Sequence, residues 1–159
     1  MNAIDRMTRY LNERRIPFEM IAHPHTATSR QAAIAAGVDS HRLVKAVLLE
    51  APDCYLAAMV PADEQVRLGR LSKDYGKQFS LAKEDAVRLL FTGCDPGAAP
   101  GLPIAWDVDM VWEDDLLAQP DLYLEVGDHE RLIHLETKYL REMLGDTPHC
   151  HFAQPHTQH

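Results

Sequence analysis

The stretch Leu43-Val44-Lys45-Ala46-Val47-Leu48-Leu49 sets one lysine inside an apolar run. Its length and its aliphatic, β-branched composition predict a buried strand. An ammonium taken out of water is costly unless a charged or polar group meets it. Lys45 therefore either snorkels to the rim of its strand or faces a cavity built for an anion or a carbonyl. The run alone leaves both open.

Working outward, Asn2 is placed to cap a first helix with Ile4, Met7, Tyr10 and Leu11 on its buried stripe. Pro17 follows that helix and Phe18–Ile21 reads as a short strand. Thr28-Ser29-Arg30-Gln31 fits a capping box, and Gly37 is a natural left-handed stop for the alanine-rich helix between them. After the Lys45 strand, Ala51-Pro52-Asp53 turns into a second strand, Tyr55–Val60, ended by Pro61. Helices are expected over Glu64–Tyr75 and Lys83–Leu90, then a long Gly/Pro loop from Thr92 to Gly101. Pro103–Val111 reads as one or two strands. Leu122–Val126 and Leu132–Leu135 alternate around Gly127-Asp128-His129-Glu130, a hairpin, and a last helix covers Lys138–Leu144. Strands come in groups and do not alternate strictly with helices. The expected class is α+β: a single layered domain with a mixed, largely antiparallel sheet flanked by helices. The domain is expected over residues 1–145. The His/Pro-rich tail over 146–159, with His149, His151, His156 and His159, is expected to be disordered.

The 159 residues suit one compact domain, and 46% apolar with 25% charged residues is the make-up of an ordinary globular protein. The apolar runs are too short to cross a bilayer, and the N-terminus opens on an amphipathic pattern, not a signal peptide. Cys54, Cys94 and Cys150 are odd in number and form no metal-like pair, which favours free thiols and a cytoplasmic setting. A formal charge of −8 argues against DNA or RNA gripped over a broad basic face. It leaves room for a small site that takes only the end of a nucleic acid.

Familiar chemical motifs are absent: no Walker-type phosphate loop, no G-x-G-x-x-G, no H-E-x-x-H, no G-x-S-x-G. His23-Pro24-His25 has no third ligand in view, so no metal is expected there. Asp107, Asp109, Glu113, Asp114 and Asp115 lack the spacing of a calcium loop and read as a solvated turn and helix start. Trp106 and Trp112 read as packing residues. His129, at a hairpin tip, is either simply exposed or a substrate contact.

In order along the chain, these landmarks resemble the YbaK superfamily, which also supplies the editing domain inserted in many bacterial prolyl-tRNA synthetases. The resemblance rests on His23-Pro24 with Thr26 and Ala27, the alanine-rich helix, Val44-Lys45 opening its strand, and Tyr55–Val60 with Pro61. It continues through Gly93, the Pro96–Pro100 loop, Leu122–Val126 with Gly127-Asp128-His129, and Ile133-x-Leu135, spanning Ile4 to Leu144. It implies a free-standing deacylase that hydrolyses the ester of a mischarged tRNA carrying alanine, cysteine or serine, on tRNA-Pro, with prolyl-tRNA synthetase as a possible partner and no metal or nucleotide cofactor. The family lysine maps onto Lys45 as the catalytic residue. Substrate contacts would come from Thr26, Ser29, Ala46, Gly93, Pro96, Gly97, Ala98, Ala99, Gly127 and His129. The N–H groups of the Pro96–Ala99 loop would line the ester carbonyl, and the ribose hydroxyl of the substrate would activate water. Two features depart from the family pattern: Ala46 stands where many members carry threonine, serine or asparagine, and the loop ends Gly101-Leu102-Pro103. They motivate the alternative of an inactive binding module of the same fold that senses an amino acid or an aminoacyl end.

Overall fold

The computed structural model describes residues 1–156. Helix α1 (Ala3–Glu13) begins where the Asn2 side chain accepts from the Asp5 N–H at 2.9 Å, and it buries Ala3, Met7 and Leu11. Strand β1 (Glu19–Ala22) follows. Helix α2 (Ser29–Ala36) is capped by Thr28, whose hydroxyl accepts from Gln31 N–H at 3.2 Å, while the Gln31 side chain accepts from Ala27 N–H. It stops at Gly37, φ 71°. These caps lie where the sequence places them because their chemistry is complete within four residues.

Strands β2 (Leu43–Ala51) and β3 (Cys54–Pro61) form an antiparallel hairpin at the centre of the sheet. Strand β4 (Glu64–Val66), helix α3 (Leu68–Tyr75), the short β5 (Ser80–Leu81) and helix α4 (Glu84–Leu90) come next. A 3₁₀ turn, Pro103–Trp106, then leads to β6 (Met110–Glu113) and α5 (Asp114–Leu117). The chain continues through β7 (Asp121–Glu125), β8 (Arg131–Glu136), α6 (Thr137–Leu144), β9 (His149–Cys150) and β10 (Ala153–Pro155). The main sheet runs β1-β8-β7-β2-β3-β6-β9, with β5 also on β2, and β10 pairs with β4 in a second, small sheet. Pairs β1–β8, β7–β8, β2–β3 and β2–β5 are antiparallel, and β2–β7, β3–β6 and β6–β9 are parallel. The architecture is the mixed, mostly antiparallel α+β layering expected. No helix among the described residues is long and apolar enough to cross a membrane.

Strand β2 is buried on both faces, which explains its unbroken apolar run. Leu48 packs on one side with Met7, Leu11, Met59, Trp112 and Leu124; Leu49 packs on the other with Leu56, Leu71, Phe79 and Phe152. Trp106 and Trp112 lie in the first of these cores, as expected of packing aromatics.

Four readings are corrected. The segment Glu64–Val66 is a strand, not the start of a helix, because β10 arrives from the far end of the chain to pair with it. Pro103–Trp106 is a 3₁₀ turn, not a strand, and closes at Asp107 with φ 59°; the strand begins only at Met110. The tail expected to be disordered instead builds β9 and β10. Phe152 is fully buried, and its N–H and that of Ala153 donate to the Glu113 carboxylate at 2.9 and 2.7 Å. Glu113, read as part of a solvated acidic turn, is thus fully buried. His159 lies outside the described residues.

Candidate functional site

Four chain segments meet around a cavity of about 260 Å³: the approach to α2, strand β2 at Lys45, the Gly/Pro loop and the β7–β8 hairpin. Backbone hydrogen bonds fasten them. His23 N–H donates to Glu130 O at 2.8 Å and Thr26 N–H to His129 O at 3.1 Å, tying the α2 approach to the hairpin. Asp95 N–H donates to Gly127 O at 2.8 Å and Gly101 N–H to Glu125 O at 2.7 Å, tying the loop to β7. The hairpin turns on Gly127 (φ 101°) and on His129, itself left-handed at φ 62°. Asp128 Oδ1 steadies the turn by accepting from the N–H groups of Glu130 and Arg131. From this turn the His129 Nε2–H donates to Pro96 O at 2.9 Å, so the histidine roofs the cavity by holding the loop.

Lys45 enters from β2. Its Nζ donates to the Glu64 carbonyl at 2.7 Å and lies 3.4 Å from His156 Nε2. Burial lowers its pKa, opposed by the charges of Glu125 and Asp63 and aided by that of Arg30. It stands on the border between the cavity and a shallower groove of about 550 Å³ that is lined by Arg30, Gln31, Ile34, Ala62 and His156. Lys45 thus lines both concavities, with its ammonium met by a backbone carbonyl of its own fold.

Of the residues expected here, Thr26, Ser29, Lys45, Ala46, Gly97, Ala99 and His129 line the cavity. Pro96, Ala98, Gly93 and Gly127 do not. Pro96 contributes its carbonyl to His129, and Ala98 is buried behind the loop. Gly93 and Gly127 serve packing: a Cβ on Gly93 would lie 2.5 Å from Met1 O, and one on Gly127 would lie 2.7 Å from Cys94 Sγ. Within Pro96–Ala99, proline has no N–H, Gly97 N–H donates to Glu84 Oε1 at 3.1 Å and Ala98 N–H to Asp95 O at 3.0 Å. Ala99 is left as the loop residue whose N–H has no such partner among the described residues.

Glu125 was missed. It follows Leu122, Tyr123 and Leu124 on β7, and the parallel register Leu43↔Tyr123, Val44↔Leu124, continued by one step, sets it beside Lys45. Its signal was an acid at the end of an apolar strand, two residues before Gly127. Burial raises its pKa, against a hydrogen bond from Ser29 and the charges of His129, His23 and Lys45. His23, Ala27, Thr28, Ala32 and Arg131 complete the lining.

The cavity's hydroxyls are those of Thr26, Thr28 and Ser29, and no cysteine lines it. Cys94 lies behind the loop, and burial pushes its thiol up to about 12, so it stays protonated at neutral pH. Two clusters of ligand-type side chains stand outside the cavity among the described residues: His41 with Asp63 and Glu64, and Glu113 with Asp115 and His151. Glu113 is already engaged by backbone N–H groups. Of the early histidines, His23 Nδ1–H donates to Pro24 O, and His25 lies against His129 and Glu130.

A family model described as an aminoacyl-tRNA editing domain matches residues 23–143. No curated protein matches the chain in sequence. Among solved structures, the hypothetical protein APE2540 superposes with a TM-score of 0.82 at 21% identity, over 94% of this chain and 99% of its own. A protein described as a candidate trans-editing enzyme for prolyl tRNA synthetase gives 0.81 at 21% identity, over 97% and 98%. A candidate signal transduction protein from Marinobacter aquaeolei VT8 gives 0.74 at 17% identity, over 93% of this chain and 30% of that one. At these identities the structural likenesses speak for the fold.

Proposed function

The chain belongs to the family of aminoacyl-tRNA editing domains, and from that membership we propose that it hydrolyses the ester between a wrongly attached amino acid and the 3′-terminal adenosine of a tRNA, acting in trans. The observation that carries this reading is a cavity of about 260 Å³ lined by a lysine, a half-buried carboxylate and no cysteine. Such a set can bind and orient an ester for attack by water.

The Lys45 ammonium, at the border of cavity and groove, orients the phosphate and ester oxygens of the acylated nucleotide. Glu125 receives the α-ammonium of the amino acid, since a half-buried carboxylate lining the cavity is well satisfied by a cation. The Ala99 N–H faces the carbonyl oxygen as negative charge develops on it. Water, activated by the neighbouring ribose hydroxyl, adds to the carbonyl carbon. The ester C–O bond then breaks, the departing ribose oxygen takes a proton, and the amino acid leaves as its carboxylate.

The small cavity and the methyl side chain of Ala46 suit alanine, cysteine or serine, with tRNA-Pro as carrier and prolyl-tRNA synthetase as the enzyme whose errors are cleared. A cytoplasmic setting fits three free thiols. The test is release of labelled amino acid from alanyl-, cysteinyl-, seryl- and prolyl-tRNA by wild type and by Lys45→Ala. Release from one or two mischarged species, reduced by about 10²-fold or more in the variant, is the expected result; a fully active Lys45→Ala protein refutes the role of the lysine. The engagement of the Gly97 and Ala98 N–H groups within the protein favours a second reading, an inactive module that binds aminoacyl ends. Binding of an uncleavable aminoacyl-adenosine analogue without turnover of the cleavable ester would select it.

A further inference from the structure

The last residues of the described chain are packed against the fold and bring His156 to the groove beside the cavity. Strand β9 pairs with β6 through Trp112↔His149 and Glu113↔Cys150. Just beyond, the buried Glu113 carboxylate accepts from Phe152 N–H and Ala153 N–H, and its Oε1 meets His151 Nδ1 at 3.0 Å. Phe152 fills the core beside Leu49, Leu71 and Phe79, and its carbonyl accepts from Arg67 N–H at 2.8 Å. Strand β10 then runs antiparallel to β4, with Pro155 opposite Glu64. Glu64 is the residue whose carbonyl holds Lys45, and the next tail residue, His156, brings Nε2 to 3.4 Å from the same Nζ.

We propose that His156, held in place by the packed tail, walls the groove that adjoins the cavity and is a positioning residue for Lys45. A neutral imidazole protonated on Nδ1 accepts from the ammonium at Nε2. The Glu64 carbonyl takes a second N–H, and the third is left to point at substrate. What that third N–H then does rests on the deacylase reading above. The charged groups facing His156 are Lys45 from β2, Arg30 from α2 and Asp63 from the turn before β4. Slight desolvation where the exposed ring meets the groove, together with the two cations, holds its pKa below the ordinary histidine value, against Asp63, which favours the neutral imidazole.

Two measurements on the full chain test this. His156→Ala should slow kcat for amino-acid release by about tenfold, the scale of one charge-assisted hydrogen bond, with an unchanged Tm because the side chain is exposed. His156→Gln, whose Oε1 can accept from Lys45, should recover most of that loss. An unchanged kcat in His156→Ala, or no recovery in His156→Gln, overturns the positioning role. The second measurement needs no turnover: ¹⁵N NMR of the imidazoles, with pH titration of wild type and Lys45→Met. Removing the lysine should raise the His156 pKa, because a neighbouring cation is gone. A pKa that does not move overturns the contact. Wild type that releases no amino acid, together with a coupled His156 titration, would refute the deacylase reading while supporting the wall.

Discussion

Glu125 carries a carboxylate into the cavity beside Lys45. Burial makes its carboxyl easier to protonate in the folded chain than in the unfolded one. Its contribution to stability is therefore fully present below the ordinary carboxylate range and is lost as pH rises through the raised folded value. Glu125→Gln keeps the shape and removes the charge. We expect its Tm to exceed that of wild type by a few degrees at about pH 8, with the gap closing towards about pH 4. Parallel wild-type and variant curves across that span would show that the charge carries no such cost. If Glu125 also receives the substrate's α-ammonium, the same variant should raise KM for the aminoacyl ester more than it lowers kcat.

The Gly/Pro loop and β7 act as one element at the site. Gly101 N–H donates to Glu125 O, and a Cβ on Gly101 would lie 2.8 Å from Leu124 Cβ and 2.9 Å from Glu125 N. The second of these is backbone and has little freedom to move. Gly101→Ala should therefore push the loop off β7, costing about 1–3 kcal/mol and carrying Ala99 away from the cavity. Denaturant unfolding together with the deacylation rate checks this: both should fall. A variant as stable and as active as wild type would mean that the loop does not need this close approach. The hairpin was legible in the sequence because Gly127-Asp128 between two alternating runs is a short-range signal. That His129 reaches across to Pro96 was not, since the two lie 33 positions apart.

For the molecule as a whole, Glu113 joins the central sheet to the end of the chain. Its carboxylate accepts from the backbone N–H groups of Asp115, Phe152 and Ala153 and meets His151. Hydrogen bonds to a charged acceptor contribute more than neutral ones, and removing the acceptor leaves buried donors unmatched. Glu113→Ala should cost about 2–4 kcal/mol in denaturant unfolding. It should also speed amide hydrogen exchange at Phe152 and Ala153 ahead of the rest of the sheet. Uniform exchange across the chain in the variant would argue that the tail is held by Phe152 packing alone. Deacylation should fall as well, because β10 lies against the strand whose carbonyl holds Lys45.

By itself the sequence determined what short-range energetics can decide. Cap chemistry at Asn2, Thr28 and Gly37 acts within four residues, and strand alternation and apolar runs place β2, β3, β7 and β8. A charge inside an apolar strand marked Lys45 as worth explaining. Only the tertiary structure decided that β4 is a strand, that the tail is part of the fold, and that Glu125 stands beside Lys45. It also decided that loop N–H groups expected for substrate serve Glu84 and Asp95, the first of these 13 positions away. Lys45 meets the Glu64 carbonyl over 19 positions and His156 over 111. Each such contact depends on how strands from distant parts of the chain pair, and no local period or propensity encodes that pairing.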